Sequence, residues 1–295
     1  MIAVRGSVKA AVAAAARRLA GTSTQTPRLD AEVLMGFVLA WSRSRLFAHW
    51  DEDLEDADLR RYETYVDRRA AGEPVAYIRN LKEFLGLELY VDPRVLIPRP
   101  ETELLVTRAV AWLQTVPLPP RWERLGEGTR PVVVDVGTGS GAVAIGILQS
   151  CPQVRLIATD VSAEALEVAR LNAGRHGVAL TFEQGSLLEP MAGPVDLVVA
   201  NLPYLSRNEY ESLLGTSIAY EPRQALTDDA DGLRWFAALL DQAAAKLSPS
   251  GCILLEIGSG QPAAIQGLAQ ERLPAFRSTV HADLAGLPRV LELSR

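Results

Sequence analysis

Short apolar runs alternate with longer amphipathic runs over the second half of the chain, and this feature limits the possible folds more than any other. The apolar runs predict strands at 132–136, 155–160, 180–184, 195–200 and 253–257. Helices are predicted at 163–177 and 233–247, and two more strands between 280 and 293. Strands without a polar face are typical of a parallel sheet covered by helices on both sides. The pattern therefore predicts an α/β fold.

The chain before this region is predicted to begin with helices. Apolar residues recur at helical spacing over 7–20, 29–39 and 54–69. The first 29 residues contain arginines and no acid, which is also typical of a transit peptide. The alternative is an amphipathic helix that presents Val8, Val12, Ala15 and Leu19 on one face and stops at Gly21.

A change of pattern separates the helices from the α/β region. Apolar and polar residues alternate around Asp92 and Pro93, which predicts a β-hairpin over 83–97. Pro100 and the acids that follow it predict a helix from 100 to about 113, and prolines at 117, 119 and 120 predict a loop. We therefore expect a small all-α domain at 1–75, a β-hairpin linker at 76–100 and the α/β domain at 101–295.

Composition excludes several other kinds of protein. The 295 residues are 48% hydrophobic and 22% charged, which is typical of a folded globular protein. No apolar run approaches the ~18 residues of a membrane span, and a net charge of −6 argues against a surface built for duplex nucleic acid. Two cysteines and three scattered histidines give neither a disulfide framework nor zinc-ligand spacing. These features favour a cytoplasmic protein without a metal.

A glycine-rich segment joins the first predicted strand of the α/β region to the following helix. It reads Asp135-Val136-Gly137-Thr138-Gly139-Ser140-Gly141. Gly137, Gly139 and Ala142 fit the dinucleotide pattern, and Asp160 follows at a distance suitable for a ribose hydroxyl. However, the Asp135 carboxylate would repel a pyrophosphate and attract the ammonium group of S-adenosylmethionine. The segment therefore favours a methyl donor over NAD.

A second motif, Asn201-Leu202-Pro203-Tyr204, follows the predicted strand at 195–200. Because ligands of doubly wound sheets bind at the carboxyl ends of the strands, we expect this tetrapeptide to share a crevice with the glycine-rich segment. It is similar to the Asn-Pro-Pro-Tyr motif of methyltransferases that act on planar amide or amine nitrogens.

Further segments narrow the resemblance. They are Glu73-Pro74-Val75-Ala76-Tyr77-Ile78, Leu96-Ile97-Pro98-Arg99-Pro100-Glu101-Thr102-Glu103, Tyr220-Glu221-Pro222-Arg223-Gln224-Ala225-Leu226, Asp231-Gly232-Leu233 and Leu255-Glu256-Ile257-Gly258. From residue 73 onward the chain resembles the peptide chain release factor glutamine methyltransferases (the PrmC/HemK family). The resemblance implies a Rossmann-like, seven-stranded class I methyltransferase domain that uses S-adenosyl-L-methionine. The implied substrate is the glutamine side-chain amide in the Gly-Gly-Gln loop of class-1 release factors, which the all-α domain would bind.

The resemblance also implies roles for residues. The Asn201 side-chain oxygen and the Leu202 carbonyl would accept the two amide N–H groups, next to Pro203, and Tyr204 would pack against the flat amide. The implied cofactor site consists of Asp135, Gly137, Thr138, Gly139, Ser140, Gly141, Asp160, Ser186, Leu187 and Asn201. We expect a monomer that contacts neither a membrane nor nucleic acid directly.

Two positions depart from the family pattern. Leu202 stands where the family usually has proline, so we expect a less rigid site or a shifted substrate. Ser186 and Leu187 stand where the family commonly has an acid and an aromatic residue near the adenine, so we expect an altered cofactor affinity.

Three alternatives stay open. An adenine-N6 nucleic-acid methyltransferase would need a basic groove beside Tyr204, whereas 208–241 is rich in acids. An NAD-dependent dehydrogenase would rely on the loose glycine pattern. A binding module could have lost catalysis through the two departures. Outside these motifs, we expect structural roles for the histidines, for Cys252 and for Glu256, and leave Arg99 open between an ion pair and the wall of the site.

Overall fold

The computed structural model of the chain describes residues 6–115 and 130–295. They form two compact units. One unit contains the residues up to Leu81 together with Ser212–Tyr220, and the other contains Lys82–Glu211 and Glu221–Arg295. The return of 212–220 to the first unit was not predicted, because no local pattern marks it. The proline loop predicted at 117–120 lies outside the described residues.

The first unit is helical. Its helices are α1 (Val8–Ala20), α2 (Pro27–Leu39), α3 (Arg43–Ala48), α4 (Asp56–Ala70) and α5 (Val75–Arg79). The three helices expected from periodicity are confirmed as α1, α2 and α4, whereas α3 and α5 are too short to show a period. In α1 the buried residues are Val8, Val12, Ala15 and Leu19, which confirms the amphipathic helix. These side chains pack with Leu34, Met35, Leu46 and Tyr62 in a core of their own.

A β-hairpin begins the second unit, over a shorter range than the 83–97 that the sequence pattern predicted. Strand β1 (Lys82–Phe84) pairs antiparallel with β2 (Leu87–Leu89). Its turn is Leu85-Gly86, and both residues have positive φ, as a two-residue hairpin turn requires. The hairpin predicted over 83–97 is therefore confined to 82–89, and the segment around Asp92 and Pro93 makes a separate turn in which the Val95 amide donates to the Asp92 carbonyl at 3.1 Å.

A seven-stranded sheet forms the centre of the second unit, in the order β5-β4-β3-β6-β7-β9-β8. The strands are β3 (Val132–Val136), β4 (Arg155–Asp160), β5 (Thr181–Gln184), β6 (Val195–Ala200), β7 (Leu247–Glu256), β8 (Arg277–Ala282) and β9 (Pro288–Ser294). The helices are α6 (Glu103–Thr115), α7 (Ala142–Ser150), α8 (Ala163–His176), α10 (Arg234–Lys246) and α11 (Pro262–Arg272), with α9 (Arg207–Leu213) between β6 and α10. A 3₁₀ turn, Pro100–Thr102, precedes α6. Strand β9 runs opposite to the other six strands of this sheet. The predicted α/β fold is confirmed.

Two apolar cores cover the two faces of this sheet. Neighbouring strand residues alternate between them: Val133 and Cys252 pack with α6 and α7, whereas Val134 and Ile253 pack with α10 and α11. Cys252 is therefore a core residue, as expected. No helix among the described residues is long and apolar enough to cross a membrane.

The order of the strands fixes the position of the site. The chain adds β4 on one side of β3 and later adds β6 on the other. A crevice opens at the carboxyl ends of the strands where such an order reverses. The glycine-rich segment follows β3 and the 201–204 tetrapeptide follows β6, so the fold brings the two predicted motifs to the same crevice.

Candidate active site

The glycine-rich segment makes a tight turn between β3 and α7. Gly137, Gly139 and Gly141 all have positive φ, a conformation that costs other residues free energy. At Gly141 a Cβ would lie 3.3 Å from the Ala169 Cβ, so the close packing of α7 on α8 also requires glycine. The sequence spacing of glycines thus reflects both backbone conformation and packing.

The backbone amides of this turn are already occupied within the protein. Those of Gly137 and Thr138 donate to the Thr159 carbonyl at 2.8 and 3.0 Å. The Gly139 amide donates to the Asp160 carboxylate at 3.0 Å, and that of Gly141 donates to the Thr138 carbonyl at 2.9 Å. A pyrophosphate site requires free N–H groups. This turn instead presents the Asp160 carboxylate, an acceptor that fits a ligand with hydroxyl and ammonium groups better.

The two acids of the turn lie in different surroundings. Asp135 is 2% exposed, and its carboxylate accepts hydrogen bonds from the Thr138 hydroxyl at 2.7 Å and the Ala144 amide at 3.2 Å. Burial nevertheless raises the pKa of Asp135 to about 7. Asp160 is partly exposed at the end of β4, and burial raises its pKa as well, against hydrogen bonds from the Ser162 and Gly139 amides.

The 201–204 tetrapeptide leaves β6 along the wall of the crevice. Asn201 Nδ2 donates to Thr102 Oγ1 at 3.2 Å, and its Oδ1 accepts no hydrogen bond from the described residues. Leu202 is buried in the core beneath the crevice, and its side chain lies next to Gly137. Tyr204 is half-buried, and burial raises the pKa of its phenol.

One cleft collects most of the predicted residues. It is lined by Gly137, Gly139, Asp160, Ser186, Leu187, Asn201, Leu202 and Pro203 together with apolar residues such as Val95, Leu96 and Trp235. Asp135, Thr138, Ser140 and Gly141 do not line it but lie buried beneath it. Tyr204 lines a separate, more polar recess with Glu209, Asp231, Gln261 and Arg289.

Hydrogen bonds between segments that are distant in sequence hold these walls in place. Glu221 is buried and accepts hydrogen bonds from Arg99 at 2.5 Å and from the Ile97 amide at 3.0 Å. This ion pair resolves the role left open for Arg99. Asn172 donates to the carbonyls of Tyr90 and Ser140, both at 2.9 Å, and so fixes the turn from below. Glu221 belongs to a segment that carries the family resemblance, whereas no motif marked Asn172. The partners of both residues lie far away in sequence, so no local pattern predicted these hydrogen bonds.

The remaining candidates are structural. His49 lies against Glu52, His281 against Glu292, and His176 against the Glu88 carbonyl. Within residues 6–115 and 130–295 no group of three or more His, Cys, Asp or Glu side chains could hold a metal ion.

Comparison with known proteins decides the family. Residues 10–79 match the family described as PrmC N-terminal domain, and residues 122–236 match the methyltransferase small domain. A release factor glutamine methyltransferase of Moorella thermoacetica is 39% identical over 287 residues, which cover 96% of each chain. One of Bordetella pertussis is 40% identical over 90% of this chain and 93% of the other.

The chain belongs to the release factor glutamine methyltransferase family.

A solved structure supports the fold of this family member. The catalytic domain of hMettl16, in complex with the MAT2A 3′UTR hairpin 6, superposes with a TM-score of 0.54 at 14% identity and covers 81% of this chain and 82% of the other. At this identity the likeness concerns the fold alone, which is that of a class I methyltransferase. The family member is accordingly an enzyme whose cofactor is S-adenosylmethionine.

Gln261 of this methyltransferase fixes the end of the tetrapeptide. Its Nε2 donates to the Tyr204 carbonyl at 2.9 Å and to the Gly232 carbonyl at 3.3 Å, while its Oε1 accepts from the Gly258 amide at 2.9 Å. Two segments that follow β6 and the loop that follows β7 therefore meet at one side chain.

Replacing Gln261 with alanine is expected to lower kcat about tenfold, because small displacements of positioning groups are costly for catalysis. Steady-state methyl transfer measures the effect. Gln266→Ala, in the helix that follows Gln261 and with its amide bonded to Ser278, is the matched control. Equal kcat values for the two variants would contradict this role for Gln261.

Proposed function

We propose that the chain transfers the methyl group of S-adenosylmethionine to the side-chain amide nitrogen of the glutamine in the Gly-Gly-Gln loop of class-1 release factors. The observation that carries the proposal is the position of Asn201, whose amide lines the same cleft as the glycine-rich turn. The names of the Moorella and Bordetella relatives support the substrate.

We propose that the cleft holds the cofactor as follows. The Asp160 carboxylate would accept hydrogen bonds from the ribose hydroxyls, and the bare backbone of Gly137 and Gly139 would let the cofactor approach closely. Ser186 and Leu187 would lie at the adenine, the hydroxyl as an acceptor and the leucine as an apolar contact. Asp135, Thr138, Ser140 and Gly141 would act from beneath by fixing the turn.

The residues of the tetrapeptide would orient the substrate amide. The cofactor supplies an electrophilic methyl group on a sulfonium. The amide nitrogen would bond to that methyl carbon as the carbon–sulfur bond breaks, which would leave a neutral thioether, and the nitrogen would release one proton to solvent. Because an amide lone pair is delocalised, the nitrogen needs acceptors for its N–H groups, and Asn201 Oδ1 and the Leu202 carbonyl would supply them. Most of the rate enhancement would come from positioning and fixed dipoles.

The first unit is the proposed contact for the release factor. It exposes the apolar rings of Phe37 and Phe47, and Arg43 lies over the Phe47 ring at 5.6 Å. Exposed aromatic rings with arginine are typical of protein-binding surfaces. We further propose that the protein acts as a monomer in the cytoplasm, where translation takes place.

Methyl transfer from labelled S-adenosylmethionine to a purified class-1 release factor tests the proposed function. We expect label on the wild-type factor and none on a factor whose Gly-Gly-Gln glutamine is replaced by alanine. Label on an adenine-containing oligonucleotide instead would favour the nucleic-acid alternative. Intact cofactor binding by calorimetry with no transfer to either would favour a binding module, and binding of NAD alone would overturn the cofactor.

A further inference from the structure

The side-chain amide of Asn201 has two ends with opposite hydrogen-bonding character. For the proposed reaction its oxygen must face the substrate nitrogen, because the substrate presents N–H groups. In the structure Nδ2 donates to Thr102 Oγ1 at 3.2 Å. A group that accepts the proton of the Thr102 hydroxyl would therefore keep Thr102 Oγ1 as the acceptor for Asn201 Nδ2. The Asn201 oxygen would then face the substrate nitrogen.

Thr102 has the means to act in this way. It ends the 3₁₀ turn before α6, and its amide donates to the Arg99 carbonyl at 3.1 Å. The residue is 4% exposed, so water does not compete freely for its hydroxyl. A hydroxyl has one proton to donate and two lone pairs that accept. If the Thr102 hydroxyl donates its proton to another neighbour, its lone pairs remain to accept the hydrogen bond from Asn201.

Glu256 is the neighbour that receives it. It lies at the carboxyl end of β7, is 1% exposed, and hydrogen-bonds the Thr102 hydroxyl. Its Oε2 is buried without a hydrogen-bond partner among the described residues. Since an ionised carboxylate only accepts, Thr102 must donate to Glu256 and accept from Asn201.

We propose that Thr102 and Glu256 are positioning residues, which act through one another to hold Asn201 with its oxygen toward the methyl-accepting nitrogen. The inference rests on the proposed function for what Asn201 contacts, but the hydrogen-bonded chain itself does not depend on the substrate. Neither residue touches the reacting atoms. Their effect is to remove the alternative orientation of the amide, in which two donors would face each other.

The charge of Glu256 gives this arrangement a pH dependence. Burial raises the pKa of Glu256 to about 7, against the Thr102 hydrogen bond and the charges of Arg289 and Arg99, while Glu101 raises it further. The phenol of Tyr204 also lies within its electrostatic reach. Below this pKa the protonated carboxyl can donate to Thr102, and the hydroxyl is then free to turn its proton toward Asn201. We therefore expect kcat to rise as the pH increases through about 7.

Thr102→Val and Thr102→Ser test the proposal, with Thr107→Val on the exposed face of α6 as the matched control. We expect Thr102→Val to lower kcat about 10- to 100-fold and to lose the rise near neutral pH. Its affinity for S-adenosylmethionine, measured by calorimetry, should stay close to that of the wild type. Thr102→Ser should restore kcat and the pH profile, and Glu256→Gln should abolish the rise, because a glutamine does not titrate.

A readout without substrate separates this inference from the proposed function. The ¹H–¹⁵N signals of the Asn201 side-chain amide, assigned by their loss in Asn201→Ala, should shift with pH near neutrality in the wild type. They should not shift in Thr102→Val or Glu256→Gln. Signals that are independent of pH in the wild type, or a Thr102→Val variant with wild-type kcat, would overturn the inference. Absence of transfer by the wild type alongside the expected amide shifts would overturn only the proposed function.

Discussion

Replacing Asn201 with alanine is expected to lower kcat for methyl transfer by about 100- to 1000-fold. The variant removes the side-chain oxygen that would accept a hydrogen bond from the substrate amide and leaves the Leu202 carbonyl as the remaining proposed acceptor. It also leaves the buried Thr102 hydroxyl without its donor at 3.2 Å. The loss should therefore concern the chemical step more than cofactor binding.

Single-turnover transfer of labelled methyl groups with saturating cofactor measures this effect. Calorimetry with S-adenosylmethionine gives the affinity in parallel, so that a fall in occupancy is not mistaken for a fall in rate. Asn208→Ala, an exposed position in α9, is the matched control and should keep wild-type kcat. An Asn201→Ala enzyme within threefold of wild type would remove Asn201 from the proposed mechanism.

Replacing Gly232 with alanine is expected to impair both the fold and the activity. Gly232 has φ of +82°, and a Cβ there would press into the Tyr204 carbonyl oxygen and lie 3.0 Å from Gln261 Nε2. A left-handed conformation costs a residue with a side chain about 1–3 kcal/mol. The clash adds to this cost, because relief requires movement of the backbone that carries Tyr204. We expect the free energy of unfolding to fall by at least about 2 kcal/mol and kcat to fall about 100-fold.

Urea unfolding and methyl transfer below the transition measure the two effects. Gly174→Ala in α8 is the matched control, since a Cβ at Gly174 would meet no heavy atom within 4 Å. Because alanine favours helix over glycine, this control should stabilise the protein by about 0.5–1 kcal/mol. A Gly232→Ala enzyme as stable as the wild type would show that the turn tolerates a side chain and that its backbone does not require glycine at position 232.

The parts of the protein that local sequence determines are those with a strong period or a fixed backbone requirement. The apolar runs of β3 and β6 and the face of α1 are visible because burial of one face repeats along the chain. The glycines at 137, 139 and 141 are visible because their positive φ allows few other residues. Strand order then brings both motifs to one crevice, so the location of the site was predictable.

Where the turn falls within an alternating segment was not predictable in the same way. The pattern over 83–97 fits a hairpin at several positions, and the choice depends on which residues can adopt positive φ and which flanking segments can pair. Leu85 and Gly86 have positive φ and join β1 to β2, whereas among the described residues the turn at 92–95 joins no pair of strands.

Sequence alone thus determined the fold class, the glycine-rich turn and the tetrapeptide that faces it, because each is encoded by neighbouring residues. The partners that hold that site follow from tertiary packing. Thr102 and Asn201 are 99 residues apart, Tyr204 and Gln261 are 57 apart, and Ile97 and Glu221 are 124 apart. A buried hydrogen bond depends on where two distant segments meet, and that position follows from the packing of the whole unit and from no local pattern.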